Sequence, residues 1–157
     1  IGDLVKGYQL AHAASAHGIH VAETLAGEHP PLVRQENITR CIYTRLEAAS
    51  IGLSEEQAKE AGYDVKVTQS AFQGNAKALI KEENEGIIKL VIDQTYGEIL
   101  GAFMVGPHAT DLIGEVLGVK ASEGTIYELS EIIQPHPALL EAIGEGADAY
   151  FGSAIHM

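Results

Sequence analysis

Hydrophobic positions recur with a helical period at both ends of the chain and with a strand-like pattern in the middle. Near the start, apolar and small residues spaced three or four apart predict a helix over 10–26, which Gly27 ends. The following segment, 28–37, contains His29-Pro30-Pro31, which is typical of an extended linker. We therefore expect a short N-terminal part and a longer part that begins near residue 37.

The middle of the chain has the composition of β-strands. Ser54-Glu55-Glu56-Gln57 is a capping box and predicts a short helix that ends at Gly62. The turn sequence Gln94-Thr95-Tyr96-Gly97 separates two apolar runs and favours a hairpin. Strands are predicted where β-branched, aliphatic and aromatic residues cluster, over 39–44, 48–53, 65–72, 86–93 and 99–105.

The last third returns to a helical period. Helices are predicted over 111–120 and from Thr125 onward, the second with apolar side chains at Ile126, Leu129, Ile132 and Ile133. A last helix is predicted to start with Pro137 at its first position and His136 at its N-cap, and to reach Gly144 or beyond. The order of helix, strands and helices predicts an α+β fold, with an antiparallel β-sheet flanked by helices.

Composition and charge exclude several classes of protein. The 157 residues are 46% hydrophobic, which supports a real core and argues against disorder. The net charge is −12 and no basic cluster is present, so we expect no nucleic-acid and no membrane partner. Acidic residues are concentrated in 109–157, either as a solvated face or as groups placed for chemistry, and charge alone does not decide between them.

Few side chains are candidates for metal or thiol chemistry. His12 and His20 could share one face of the first helix, but no acidic residue completes a set of ligands there, so no metal site is predicted. Cys41 is the only cysteine and is predicted to be a small buried apolar residue in a strand. A lone cysteine fits a reducing compartment, the cytoplasm or, in a eukaryote, the mitochondrial matrix.

One segment combines the residue types that acid–base chemistry needs. In Gln134-Pro135-His136-Pro137-Ala138-Leu139-Leu140-Glu141, two prolines restrict the backbone around His136, and Glu141 follows five residues later. A carboxylate beside an imidazole raises its basicity, orients the ring and stabilises the imidazolium. Proline and glutamate are also ordinary helix-start residues, so a purely structural role remains open.

The pattern His136-Pro137-x-x-x-Glu141 resembles the histidine–glutamate dyad of the flavin-dependent disulfide reductases, and of the dihydrolipoamide dehydrogenases in particular. Two departures leave the equivalent domain of a relative such as glutathione reductase as an alternative: Leu46 where the family has proline, and Ala138 and Leu140 where it has threonine and serine. Further segments resemble this family in the same order along the whole chain, namely Ile1-Gly2-Asp3, Leu10-Ala11-His12, Ile42-Tyr43-Thr44, 49–58, 95–102 and Met104-Val105-Gly106-Pro107.

The resemblance implies roles for individual residues. Asp3 would bind the ribityl chain of FAD, and the backbone near Ala11 would approach the flavin ring. His136 would take the proton from a dihydrolipoamide thiol, with Glu141 as its partner. The dyad would act across a homodimer, on the cysteine pair of the other subunit.

The resemblance also implies that the chain is the C-terminal third of a longer enzyme. Residues 1–36 would be a remnant of the FAD-binding domain, and 37–157 the interface or dimerisation domain, with Met157 as a natural end. The parent would pass electrons through FAD to NAD and work with the components of a 2-oxo-acid dehydrogenase complex. The chain alone would bind neither cofactor and would be inactive. A stand-alone dimerisation or interaction module with a structural dyad is the alternative.

Overall fold

The computed structural model describes residues 1–156, so the predicted natural end at Met157 lies outside the described part. Within this part the chain forms one five-stranded antiparallel sheet, in the order β1-β2-β5-β4-β3, and six α-helices. The α+β prediction is therefore confirmed. The elements are α1 (Ala11–Leu25), β1 (Arg40–Ile42), β2 (Glu47–Gly52), α2 (Glu55–Glu60), β3 (Val65–Ala71), α3 (Ala76–Ile80), β4 (Ile87–Asp93), β5 (Ile99–Gly106), α4 (Ala109–Ala121), α5 (Ile126–Glu131) and α6 (Glu141–Phe151).

The hairpin of β4 and β5 forms the centre of the sheet, as the sequence predicts. The buried Asp93 closes the turn, because its Oδ2 accepts the N–H of Tyr96 at 3.0 Å and its carbonyl accepts that of Gly97 at 2.9 Å. Beyond the hairpin, β5 pairs with β2 over six residues. Strand β5 therefore pairs with β2 on one side and with β4 on the other, and its buried side chains belong to the core.

The core lies between one face of the sheet and the helices of the last third. Alternation along β4 places Ile88, Leu90 and Ile92 in this core and turns Val91 to the other face. On the other face, Ala58 of α2 packs against Val91. The larger cluster also contains Phe72, Ile99, Met104, Ile113, Val116, Ile126, Leu129 and Ile143.

Two buried hydroxyl groups attach α6 to the edge strand β3. Thr68 Oγ1 donates to the carbonyl oxygen of Gly146 at 2.7 Å, and Ser70 Oγ donates to that of Ala142 at 2.5 Å. Buried hydroxyls need such partners, and here the partners are helix carbonyls rather than sheet groups. The position of α6, and of Glu141 at its start, is therefore set from the sheet.

The prediction that the last helix begins at Pro137, with His136 as its N-cap, is wrong. The His136–Pro137 peptide is cis, and the helix begins at Glu141 after Leu140. The physical reason is that the backbone groups of Ala138 bond to side chains, its N–H to Glu141 and its carbonyl to Asn75, instead of joining a helix.

Other element boundaries differ less. The first strand ends at Ile42 rather than 44, and α5 ends at Glu131, before the extended Ile132 and the exposed Ile133. The five-residue α3 was not predicted, because so short a helix shows no periodicity.

The N-terminal part contacts the sheet around Arg40. The guanidinium of Arg40 lies 5.2 Å from the ring centre of Tyr8 and 5.9 Å from that of Phe103. In addition, His12 Nε2 lies 2.8 Å from the carbonyl oxygen of Thr39. A domain boundary after residue 36 stays a prediction. None of the helices in residues 1–156 is long and apolar enough to cross a membrane.

Candidate acid–base site

His136 and Glu141 lie in direct contact. His136 Nδ1 is 2.8 Å from Glu141 Oε1, and the other carboxylate oxygen, Oε2, accepts the N–H of Ala138 at 2.8 Å. The imidazole is 71% exposed, whereas the carboxylate is 29% exposed. The histidine therefore faces solvent while its partner is held against the protein.

The charge of Glu141 decides which nitrogen of His136 is free. Burial raises the pKa of this carboxyl, but the hydrogen bonds from Ala138 and His136 and the charges of His136 and His156 together lower it below its usual value. An ionised carboxylate only accepts hydrogen bonds, so Nδ1 of the neutral imidazole carries the hydrogen. Nε2 is then left to accept a proton, which is the arrangement of a general base.

A cleft of about 130 Å³ opens beside the pair. Its lining includes Asn75, His136, Glu141, Glu145 and His156. Glu145 Oε2 accepts the backbone N–H groups of Ile155 at 2.7 Å and of His156 at 2.9 Å. This carboxylate folds the segment after α6 back over the helix, so that two imidazoles and two carboxylates border one cleft.

The segment before His136 is attached to α4. Gln134 Nε2 donates to Glu115 Oε1 at 3.0 Å, and burial raises the pKa of Glu115 while this hydrogen bond partly opposes the rise. Gln134 also lies against Gly144, where a Cβ atom would come within 2.8 Å of its Oε1. A glycine at position 144 therefore leaves room for Gln134 beside α6.

Asn75 holds the other side of the segment. Its Nδ2 donates to the carbonyl oxygen of Ala138 at 2.9 Å, and its Oδ1 accepts the N–H of Ala78 at 2.9 Å, which caps α3. Asn75, Glu145 and His156 are not predicted from the sequence. No motif connects Asn75 or His156 with the dyad, whereas Glu145 lies one helical turn after Glu141 and could have been found from that spacing. An asparagine before a helical stretch is an N-cap signal, which would have indicated α3 but not the contact with Ala138.

Asp3 and Ala11 do not line this cleft. Asp3 is exposed in a short 3₁₀ turn, and Ala11 is the exposed first residue of α1. Within residues 1–156 no side chain caps α1 at Leu10, so the N–H groups of its first turn are available to a bound partner. The exposed carboxylate of Asp3 could accept hydrogen bonds from hydroxyl groups of FAD. The uncapped N–H groups at the start of α1, where Ala11 is small, could donate to acceptor atoms of its ring. The roles of both residues stay predictions.

The other candidate side chains are engaged separately. His12 and His20 contact different backbone carbonyls, of Thr39 and Pro31, and no group of three metal-ligating side chains occurs in the described residues. The thiol of Cys41 is partly buried, and burial raises its pKa against the opposing hydrogen bond with Tyr43. A raised thiol pKa disfavours the reactive thiolate.

The sequence of this chain is similar to known proteins over nearly its whole length. The pyridine nucleotide-disulphide oxidoreductase dimerisation domain matches residues 38–147. A dihydrolipoyl dehydrogenase of Bacillus subtilis is 45% identical over 99% of this chain and 33% of its own length. One from Zymomonas mobilis is 40% identical over 99% of this chain and 34% of its own length. The chain thus spans about a third of the length of these relatives.

Solved structures with the same fold include two chains about three times as long as this one. LpdA from Mycobacterium tuberculosis superimposes with a TM-score of 0.87 at 23% identity, over 95% of this chain and 32% of its own. The HOCl-induced flavoprotein disulfide reductase RclA from Escherichia coli superimposes with a TM-score of 0.85 at 23% identity, over 94% of this chain and 34% of its own. At this identity the likeness establishes the fold alone.

Proposed function

Because the chain belongs to the pyridine nucleotide-disulphide oxidoreductase dimerisation domain family, we propose that it is the dimerising, acid–base part of a dihydrolipoyl dehydrogenase. The observation that carries the proposal is the 2.8 Å contact between His136 and Glu141. It is supported by the 45% identity to a dihydrolipoyl dehydrogenase over nearly the whole chain.

The proposed chemistry is the oxidation of a dithiol by a disulfide. A thiol with a pKa of about 8.5 is a weak nucleophile at neutral pH until its proton is removed. Nε2 of His136 accepts that proton, and Glu141 orients the ring and stabilises the imidazolium. The thiolate attacks one sulfur of the disulfide, so that a mixed disulfide forms, the enzyme S–S bond breaks and the other enzyme sulfur leaves as a thiolate. The second thiol of the substrate then displaces the enzyme sulfur, which gives lipoamide and an enzyme dithiol.

The disulfide must come from outside this chain, which has Cys41 as its single cysteine. The exposed imidazole of His136 suits a partner that approaches from another surface, and we propose that this partner is the second subunit of a homodimer. In the whole enzyme, bound FAD would take the electrons of the dithiol and pass them to NAD. Asp3 and the first turn of α1 are the groups of this chain offered to FAD.

The same proposal extends to the partners and location of the whole protein. Oxidised lipoamide is consumed by 2-oxo-acid dehydrogenase complexes, so we place the parent among their components. The free thiol of Cys41 fits a reducing compartment, the cytoplasm or the mitochondrial matrix.

Substitution in the full-length protein tests the acid–base role. His136→Gln should lower the rate of dihydrolipoamide oxidation by about 10²- to 10⁴-fold, the usual contribution of a general base. Electron transfer from NADH to an artificial acceptor needs no thiol proton, so it should stay unchanged and report intact folding. His29→Gln, an exposed histidine outside the cleft, is the matched control.

Three outcomes would contradict the proposal. Normal dithiol oxidation by His136→Gln would leave the dyad a structural feature of an interaction module. Preference of the full-length protein for glutathione disulfide would assign it to the glutathione reductase branch. Reduction of NAD by dihydrolipoamide with the 157-residue chain alone would show that the chain is a complete enzyme.

A further inference from the structure

We infer that Asn75 is a positioning residue for the His136–Glu141 pair, and that it acts through the backbone of Ala138. This inference rests on the proposed function of the pair. Asn75 lies between β3 and α3, far along the chain from the dyad, and touches neither of its side chains through a hydrogen bond in the described structure.

The contact is relayed through both backbone groups of one residue. The carbonyl of Ala138 accepts Asn75 Nδ2 at 2.9 Å, while its N–H donates to Glu141 Oε2 at 2.8 Å. The other oxygen of Glu141 holds Nδ1 of His136 at 2.8 Å. If Ala138 shifts, the carboxylate loses a donor and the imidazole loses the group that fixes its orientation.

The chemistry of the side chain indicates that positioning Ala138 is the specific task. Asn75 is 6% exposed and both ends of its amide are bonded. Capping α3 needs only an acceptor, and serine, threonine or aspartate would supply it equally well. The amide N–H₂ of Asn75 takes no part in the cap and donates to the carbonyl of Ala138 instead. Asparagine alone combines this acceptor and this donor at that reach.

Asn75→Ser separates the two tasks. Serine keeps the N-cap acceptor for α3 but is too short to reach Ala138. The pKa of Glu141, followed through the carbon-13 shift of its carboxyl carbon in the 157-residue chain, should rise as its hydrogen bonds loosen. The Nδ1 proton of His136 should exchange with water about tenfold faster, the equivalent of one hydrogen bond. Ser54→Ala, which removes the cap of α2 instead, should change neither quantity.

In the full-length protein, Asn75→Ser should lower kcat for dihydrolipoamide oxidation about tenfold, with NADH oxidation by an artificial acceptor unchanged. If the serine variant does not fold, Asn75→Thr carries the same test, because threonine keeps the N-cap acceptor, lacks the amide donor and adds no charge beside Glu141.

An unaltered Glu141 pKa and proton exchange in a folded Asn75 variant would overturn the inference. Failure of the proposed function would give another pair of results. The Glu141 pKa and the proton exchange would still change in the Asn75 variant, but His136→Gln would oxidise the dithiol at the normal rate.

Discussion

Glu141 is the residue on which the site depends, because both of its carboxylate oxygens are bonded. One oxygen holds the imidazole of His136 and the other holds the backbone of Ala138. The carboxylate therefore serves the chemistry and the conformation of the segment together. A glutamine at this position would keep much of the shape but not the charge.

The lowered pKa of Glu141 makes its contribution to stability depend on pH. A carboxyl with a depressed folded-state pKa stabilises the protein above its ordinary pKa of 4.5, and the contribution is lost as pH falls through the folded-state value. Urea unfolding should show the wild type more stable than Glu141→Gln at neutral pH, with the gap closing below 4.5. Parallel pH profiles for the two proteins would contradict this expectation.

Gly52 and Gly62 offer a matched pair for the cost of backbone crowding. Both have positive φ, +76° and +90°, but a Cβ at Gly52 would press on the carbonyl of Leu100, while Gly62 has nothing within 4 Å. Gly62→Ala should cost about 1 kcal/mol of unfolding free energy from backbone strain alone. Gly52→Ala should cost about 3 kcal/mol or more by urea denaturation. Equal losses of unfolding free energy in the two variants would show that β5 shifts to make room for the methyl group at position 52.

At the residue scale, the sequence was informative where chemistry is local. His136 and Glu141 lie five positions apart and form a readable pattern. Asn75 donates a hydrogen bond to Ala138, which lies 63 positions later in the chain, and no local sequence pattern predicts such a contact. The predicted roles of Asp3 and Ala11 rest on resemblance alone and stay predictions.

At the scale of elements, the orientation of α6 depends on the hydroxyls of β3. Thr68→Val keeps the shape but removes the hydroxyl that donates to the carbonyl of Gly146, and the loss of this hydrogen bond should cost about 0.5–1.5 kcal/mol. Thr68→Ser keeps the hydroxyl and should cost less.

Hydrogen exchange of the α6 amides and denaturant unfolding measure these effects. Gln69→Ala, one residue along and exposed, should change stability by less than about 0.5 kcal/mol. A Thr68→Val protein as stable as Thr68→Ser would mean that the hydroxyl does not hold the helix.

Elements with strong local signals were predicted well. The β4–β5 hairpin follows from two apolar runs around one turn, and α2 follows from its capping box. The start of α6 was misplaced because proline before an acidic residue is a common helix start. Here tertiary bonds to Ala138 kept the segment out of the helix.

At the scale of the whole molecule, exposed apolar side chains lie on α5, just after it and at the end of α6. The rings of Tyr127 and Phe151 are tilted by 52° to each other with centres 5.4 Å apart, and Ile133, two positions after α5, is 97% exposed. Such a patch is typical of a surface that another chain covers. It is the part of this fold that we expect a homodimer to bury.

Sedimentation at micromolar concentration tests the dimer. Ile133→Asp should weaken association at least tenfold, because a buried isoleucine contributes about 1.5–3 kcal/mol. Leu32→Asp, an exposed apolar residue in the segment after α1, is the control and should remain dimeric. A wild-type monomer, or equal effects of both variants, would count against this surface.

The strand order has a consequence for how the chain reaches its structure. The hairpins β1–β2 and β3–β4 each form from neighbouring segments, yet the two do not touch within the sheet, because β5 lies between them. A chain emerging from the ribosome therefore cannot join these two pairs into one sheet until β5, which ends at Gly106, is released. The last helix, α6, packs on β3 and β4 and follows later in the chain, so the dyad is completed last.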